Sequence, residues 1–348
     1  MTVYYVAPDL ARPSGGVRTI YRHVDALNRL GLDAAVVHAT RDFRCEWFEH
    51  ETAVVHLPLT LSSSDTLVVP EDYAPRLGEL VPGVPKVIFN QNAYRTFNGF
   101  PDPRSTSYTT CPDLLGVMVV SEDSRRYLEH CFPGLRVARV RHAIDSGVFH
   151  PDPSGRRRQV AVVPTKRPHD VTQLLAVLEA RDALSGWDVI RIERMSEAEV
   201  AAVLRASYVF LSMNRADGFG LPPAEAIASG CRVIGFHGMG AREFFCAPYA
   251  VAIDDGDIIG FATAVERTLG SADLDDTTIA TWGSAWITGR YSADAQEADL
   301  ADAFASLQPA SGPACAATLA PGALPRPRFP VVTRWEDRAR RWLSERRL

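Results

Sequence analysis

"ADGFGLPPAEAIASG" (residues 216–230) joins a β-rich run, "YVFLS" (208–212), to a stretch of helix formers. Asp217 sits among glycines, and Glu225 follows eight positions later, behind Pro222 and Pro223. The order strand, turn, helix places 213–221 in the loop at a strand's carboxyl end. Gly218 and Gly220 let the backbone approach a ligand or take a positive φ. A proline suits the first turn of the helix, where its missing N–H costs nothing, and Glu225 falls in that turn. Free amides at a helix start attract anions, typically phosphate. One compact unit therefore offers an anion-binding helix end and two carboxylates that accept hydrogen bonds from hydroxyls. A molecule carrying both a diphosphate and sugar hydroxyls satisfies every part of it.

On both sides of this unit, strands and helices alternate. Upstream lie the strand "QVAVV" (159–163), a helix from Asp170 to about Leu184, the strand "WDVIRI" (187–192), and a helix capped by Ser196 that runs to about Ala206. The helix Pro222–Ser229 is followed by strands "RVIGF" (232–236) and "YAVAI" (249–253), then a helix starting near Asp257. The first half begins its own series. Val3 to Ala7 is a strand, and "RPSGGVRTIYRHVDALNRLG" (12–31) is a glycine loop opening a helix. In that helix Val17, Ile20, Tyr21, Val24, Leu27 and Leu30 recur at helical spacing. "DAAVVHA" (33–39) completes a βαβ start, which implies a parallel sheet. Further strands are expected at Ala53–Leu57, Lys86–Asn90, Leu115–Val120 and Arg136–Arg141, with a helix over Glu122–Cys131 capped by Ser121.

The pattern predicts an α/β protein of two doubly wound, Rossmann-like domains facing a central cleft. They span 1–150 and 151–308, with the linker near "HPDPSGRRR" (150–158). Ligands of such sheets bind beyond the carboxyl ends of the strands, hence in the cleft. The segment 309–348 is a Pro/Ala/Gly-rich connector (Pro309–Pro330) followed by a basic helix, "VVTRWEDRARRWLSERRL" (331–348). Trp335 and Trp342 share one face of that helix. Two readings stay open: the tryptophans pack on the protein body, or the helix rests on anionic lipid.

Bulk properties narrow the function. A length of 348 residues suits two domains, and a formal net charge of -5 gives no electrostatic case for nucleic acid as a partner. Six cysteines fall in no CxxC pair and no metal spacing, as in reduced thiols of a cytoplasmic protein. "MTVYYVAPDL" lacks a basic n-region and a long apolar core, so no signal peptide is expected. No run of 18 apolar residues exists to span a membrane.

The stretch Asp217-Gly218-Phe219-Gly220-Leu221-Pro222-Pro223-Ala224-Glu225-Ala226-Ile227-Ala228-Ser229-Gly230 resembles the E-x7-E element of retaining GT-B glycosyltransferases of glycosyltransferase family 4. Asp217 stands where that family has Glu and reaches one methylene less. Other blocks lie in family order. "SGGVRTIYRHVDALNRLG" (14–31) is similar to the first-domain glycine loop and helix, and "VMVVSEDSRRYL" (117–128) to a late first-domain strand and helix. "VRHAIDSGVFHP" (140–151) is similar to the crossover, with His142-Ala143 for the usual Asn-Gly. "CRVIGFHGMGAREFF" (231–245) is similar to the strand, turn and Glu after the E-x7-E helix.

The resemblance implies sugar transfer from a nucleotide-diphosphate sugar with retention of anomeric configuration. Glu225 is expected to bind the ribose and Asp217 the donor-sugar hydroxyls. Backbone amides around Phe219, Gly220 and Leu221 are expected to meet sugar and diphosphate. Lys166 and Arg167, in "VVPTKRPHD" (162–170), supply the diphosphate clamp in a more compact form than the usual pattern. A cationic clamp is chemically required, because departure of a nucleoside diphosphate leaves negative charge. No cofactor and no metal are expected. Gly15 and Gly16 would face the diphosphate across the cleft. Asn90, Gln91 and Asn92 lie where relatives carry a polar residue near the reacting centre, and as amides they cannot serve as a base. Tyr94, in the following loop, is an acceptor or cleft residue, either stacking on a sugar or pinning the loop. The acceptor is expected to be a surface polysaccharide, a lipid-linked glycan or a small molecule. The expected location is cytoplasmic, with peripheral contact at the inner face of the membrane through residues 331–348.

Competing signals are weaker. Asp255-Gly256-Asp257 passes for a metal-binding DxD but reads better as the cap of the helix beginning at Asp257. "GMGARE" lacks the last glycine of a dinucleotide fingerprint. His142 and His169 fit local hydrogen bonding. Two other functions remain: a nucleotide-sugar 2-epimerase or hydrolase on the same fold, and a non-catalytic sugar-binding or scaffolding relative.

Overall fold

The computed structural model describes residues 1–308, apart from 247, 272–273 and 275–276, together with residues 315–324. In chain order the first lobe comprises β1 (Val3–Val6), α1 (Gly15–Arg29), β2 (Ala34–His38), β3 (Val54–His56), β4 (Leu59–Ser62), β5 (Thr66–Pro70), β6 (Lys86–Asn90), α2 (Ser107–Thr110), β7 (Leu114–Val119), α3 (Glu122–Cys131) and β8 (Val137–Arg139). All strands but β4 form one parallel sheet in the order β3-β2-β1-β5-β6-β7-β8. Helix α1 buries Val17, Ile20, Tyr21, Val24 and Leu27 of the face that the spacing predicts, while Leu30, just past its end, is 40% exposed. It also buries Arg18, Thr19 and His23. The extra burial comes from elements that only the tertiary fold supplies.

The second lobe comprises β9 (Gln159–Val162), α4 (Pro168–Ala180), β10 (Asp188–Arg191), α5 (Glu197–Ala206), β11 (Val209–Asp217), α6 (Leu221–Ala228), β12 (Arg232–Met239), β13 (Ala250–Ala252), α7 (Ile258–Leu269) and α8 (Thr277–Arg290). Its sheet is parallel in the order β10-β9-β11-β12-β13. Both sheets are strongly apolar on their central strands, as expected where helices cover both faces. The expected α/β architecture of two Rossmann-like lobes is present.

The chain then returns to the first lobe. Helix α9 (Ala293–Ser306) lies against α1 and β8, with Arg29 and Arg141 each 2.7 Å from Glu297 and Asp299 respectively. Where the two crossings pass each other, the Ile144 N–H donates to the Tyr291 carbonyl at 2.7 Å. Residues 316–319, expected to be part of a flexible connector, form β14 (Ala316–Leu319), which pairs antiparallel with β4.

Other expectations are corrected by tertiary context. No strand was expected between residues 57 and 86, yet β5 lies in the middle of the first sheet with all five residues buried. Its serine- and proline-rich flanks read as turn, and only pairing with β1 and β6 defines it. Strand β11 runs to Asp217 instead of ending at Ser212, because β12 pairs with its polar end. Helix α4 begins at Pro168 and stops at Ala180. Helix α8 was not expected: its apolar residues surround it, with Ile287 buried and Trp282 48% exposed. The tail with Trp335 and Trp342 lies outside the described residues. No helix among the described residues is long and apolar enough to cross a membrane.

Candidate functional site

In the second sheet β9 and β11 are neighbours, and the connections from them lead to opposite sides. A crevice forms beyond the carboxyl ends at such a switch point, and ligands of open α/β sheets bind there. Lys166 follows β9 and Asp217 ends β11. Lys166 Nζ lies 2.5 Å from Asp217 Oδ2 across the crevice. The lysine side chain is 39% exposed, so its charge reaches solvent from the site. Arg167 is 10% exposed and faces its own lobe. It donates to the Asn214 carbonyl (3.1 Å), to Asp170 (2.9 Å) and to Asp255, and its guanidinium lies 4.5 Å from the Phe236 ring centre.

Backbone geometry shapes the acid turn. The β11–β12 register shifts between Asn214 and Asp217. Ala216 (φ 45°) and Met239 (φ 73°) both occupy the left-handed region there, a strained conformation that clusters at binding sites. Gly220, at φ 98°, caps α6 in a conformation open mainly to glycine. Pro222 and Pro223 remove two of the N–H groups that a helix start normally presents. The anion-binding end is thus narrower than the sequence suggests, with the Leu221 N–H as its leading donor. The Phe219 ring is 2% exposed, in a cluster with His142, Phe244 and Tyr291 at 4.8–5.0 Å between ring centres. Only its backbone can meet a ligand.

The first lobe presses directly on this turn. A methyl added to Gly218 would stand 1.9 Å from the Gln91 carbonyl oxygen, so only glycine permits this approach. One added to Gly15 would stand 2.8 Å from Leu221 Cδ1. Asn92 Nδ2 donates to the Ala216 carbonyl at 2.9 Å, and Gln91 Nε2 to the Gly16 carbonyl at 3.2 Å. Gly15, Gly16, Gln91, Asn92, Gly218 and Leu221 therefore meet at the lobe junction. Asn90 and Tyr94 turn back into the first lobe. Asn90 Nδ2 donates to Thr96 Oγ1 and the Tyr108 hydroxyl, and Tyr94 donates to Asp123 at 2.6 Å.

Glu225 is 5% exposed, and its carboxylate is not open to the cleft. Arg18, on the first turn of α1, donates to Glu225 and also pairs with Glu197 at 2.7 Å. Arg22 holds Glu197 as well, at 2.8 Å. Neither Arg18 nor Glu197 is singled out by the sequence reading. The one clue is that Arg18 adjoins the apolar stripe of α1 while following the glycine loop by two residues.

Two more groups lie at the junction: Glu243, which the sequence reading has only as the acid after the E-x7-E helix, and Glu71, which it passes over. Glu243, after β12, accepts from Arg139 (2.8 Å), Tyr291 (2.7 Å) and the Glu122 N–H (3.2 Å), so one carboxylate ties β8, α3 and the second lobe. Glu71, at the end of β5, accepts from the Gln91 N–H at 3.1 Å. Burial and then the nearby Asp72 push its pKa up to about 7. His142 is 4% exposed beside Thr19, and burial drives its pKa down to about 3, so it is a neutral hydrogen-bonding group. Asp257 caps α7 by accepting from the Gly260 N–H at 2.8 Å. Among the described residues no cluster of three His, Cys, Asp or Glu is placed to hold a metal ion.

No family model matches the chain. It is similar to an alpha-1,6-glucosyltransferase of Actinobacillus pleuropneumoniae serotype 7, 24% identical over 241 residues, which cover 65% of this chain and 69% of that protein. Its fold is similar to sucrose-phosphate synthase of Thermosynechococcus elongatus (TM-score 0.68, 11% identity, 88% of this chain and 98% of the other). It is also similar to Anabaena HepE solved with UDP and glucose (TM-score 0.65, 12% identity, 88% of this chain and 100% of the other). The fold is GT-B, and the chain is a glycosyltransferase homologue.

Proposed function

We propose that this chain is a retaining, metal-independent glycosyltransferase of the family 4 type, moving a hexosyl or deoxyhexosyl group from a nucleotide-diphosphate sugar to a glycan, lipid-linked or small-molecule acceptor. The observation that carries the reading is the Lys166–Asp217 pair at the second sheet's switch point, opposite the glycine loop of α1. The named relatives support it: one is a glucosyltransferase, and HepE was solved with UDP and glucose.

In this reading Glu225 receives the ribose and Asp217 the donor-sugar hydroxyls. Lys166 neutralises the leaving diphosphate, a charge that grows as the glycosidic bond breaks. Arg167 joins it by releasing Asp255, whose side chain is 76% exposed and so gives up a contact of small worth. The bond from the anomeric carbon to phosphate breaks, and the acceptor oxygen bonds the same face. The acceptor proton passes to the departing phosphate oxygen. Protein groups contribute alignment and charge stabilisation.

Thermal-shift screening against UDP, GDP, ADP and dTDP sugars is expected to show one preferred nucleotide, since a bound donor raises the melting temperature by mass action. Product NMR with EDTA present is expected to show the donor's anomeric configuration. Free isomerised or hydrolysed sugar as the main product, with no acceptor dependence, would instead establish an epimerase or hydrolase. Peripheral membrane contact through residues 331–348 predicts liposome pelleting that truncation of this tail abolishes; equal pelleting removes that part of the proposal.

A further inference from the structure

We infer that Arg18 is an internal latch: its guanidinium holds the Glu225 carboxylate that the donor's ribose must take, so nucleotide binding and release of Glu225 by Arg18 are a single event. The inference rests on the assignment of Glu225 to the ribose.

Arg18 and Glu225 belong to different lobes, and both are nearly buried, at 7% and 5% exposure. Arg18 Nη2 donates to Glu225 Oε1. A ribose diol needs the same acceptor, so the two occupants exclude one another. Burial makes the exchange possible only if neither charge is stranded, because an unpaired buried ion is far more costly than a paired one. Arg18 meets this condition through a second carboxylate of the opposite lobe. Its other guanidinium nitrogen lies 2.7 Å from Glu197, at the start of α5. When the ribose hydroxyls replace Arg18 at Glu225, Arg18 remains paired with Glu197. Glu225 in turn exchanges N–H donors for O–H donors. Of the other lobe contacts, Arg22 shares Glu197 with Arg18, and the rest differ in kind. Asn92 bonds a backbone carbonyl, and Arg139 bonds Glu243, which is not part of the acid turn.

A latch of this type lowers the apparent affinity by the fraction of molecules in which Glu225 is open. Binding of UDP, GDP, ADP and dTDP is measured by titration calorimetry on the full chain. Arg18→Ala is expected to tighten binding of the preferred nucleotide by about tenfold, by removing the competitor. Glu197→Gln is expected to weaken it several-fold, because Arg18 then has no charged refuge. Opposite signs identify the latch. Weaker or unchanged binding in Arg18→Ala, or a parallel loss in both variants, overturns it and makes Arg18 a structural or ligand-contacting residue. Arg18→Gln, which keeps most of the side-chain bulk, gives the same test if Arg18→Ala does not fold. Binding by Glu225→Ala separates the two readings: a large loss upholds the ribose assignment whatever Arg18 does. Undiminished binding in Glu225→Ala removes both the latch and the ribose assignment.

Discussion

Each lobe has a switch point, and the two are furnished differently. In the second lobe, between β9 and β11, the carboxylates are held by side-chain cations: Asp217 by Lys166, and nearby Glu225 by Arg18. In the first lobe, between β1 and β5, Glu71 and Asp9 are held chiefly by backbone and by burial, while Asp72 beside them pairs with Arg95 at 2.6 Å. Glu71 accepts from the Gln91 N–H, and Asp9 accepts from the Thr40 N–H and lies 2.8 Å from His38 Nδ1. A side-chain cation can swing to another partner, whereas a backbone amide cannot leave its strand. The second switch point is therefore built for exchange with a ligand, and the first for holding its own loops in place.

The largest expected effect sharpens this contrast. Glu225→Ala is expected to lower kcat/KM about a thousandfold, because two hydrogen bonds to a charged group are lost. A steady-state assay that found less than tenfold loss would mean the exchangeable carboxylate is not the ribose ligand. Next, Asp217→Ala is expected to lower transfer about a hundredfold, while Asp217→Glu stays within about tenfold of the parent. Undiminished pathway flux with Asp217→Ala would indicate a protein whose chemistry has lapsed.

Glu71→Gln tests the other side of the comparison. The folded state holds the Glu71 proton up to about pH 7, above the ordinary glutamate range. Folding then binds an extra proton in that window, and stability falls as pH rises through it. In Glu71→Gln this slope is expected to flatten, with a higher melting temperature at pH 8 than the parent and activity within a few-fold. Asp72, also raised by burial, leaves a residual slope. Loss of transfer without any change in the melting profile would break the comparison by making the first switch point chemical. The smallest effect is expected of Asn92→Ala, which removes one neutral contact to Ala216 and raises the acceptor or donor KM less than about tenfold.

Local chemistry was legible in the sequence, and pairing across the chain was not. The helix Glu122–Cys131 with its Ser121 cap, and the Ser196 cap with Glu199, are specified by residues three or four apart. The acid turn was legible because Gly220 and the two prolines dictate their own backbone. The polar end of β11 was not: "MNRAD" has no β-propensity to speak of, and its strand geometry comes from pairing with β12. Nor could the occupant of Glu225 be read, since Arg18 lies 207 positions away and its meaning depends on how two lobes meet.

The hydrogen bond from Ile144 to Tyr291 has a mechanical consequence. Among the described residues the lobes are joined by two chain passages pinned side by side at one spot, like a door hung on a pair of adjacent pins. Such a joint swings about a single axis and resists sliding. Any gape of the site is then a rotation that parts Gly218 from Gln91 while α9 stays seated on α1.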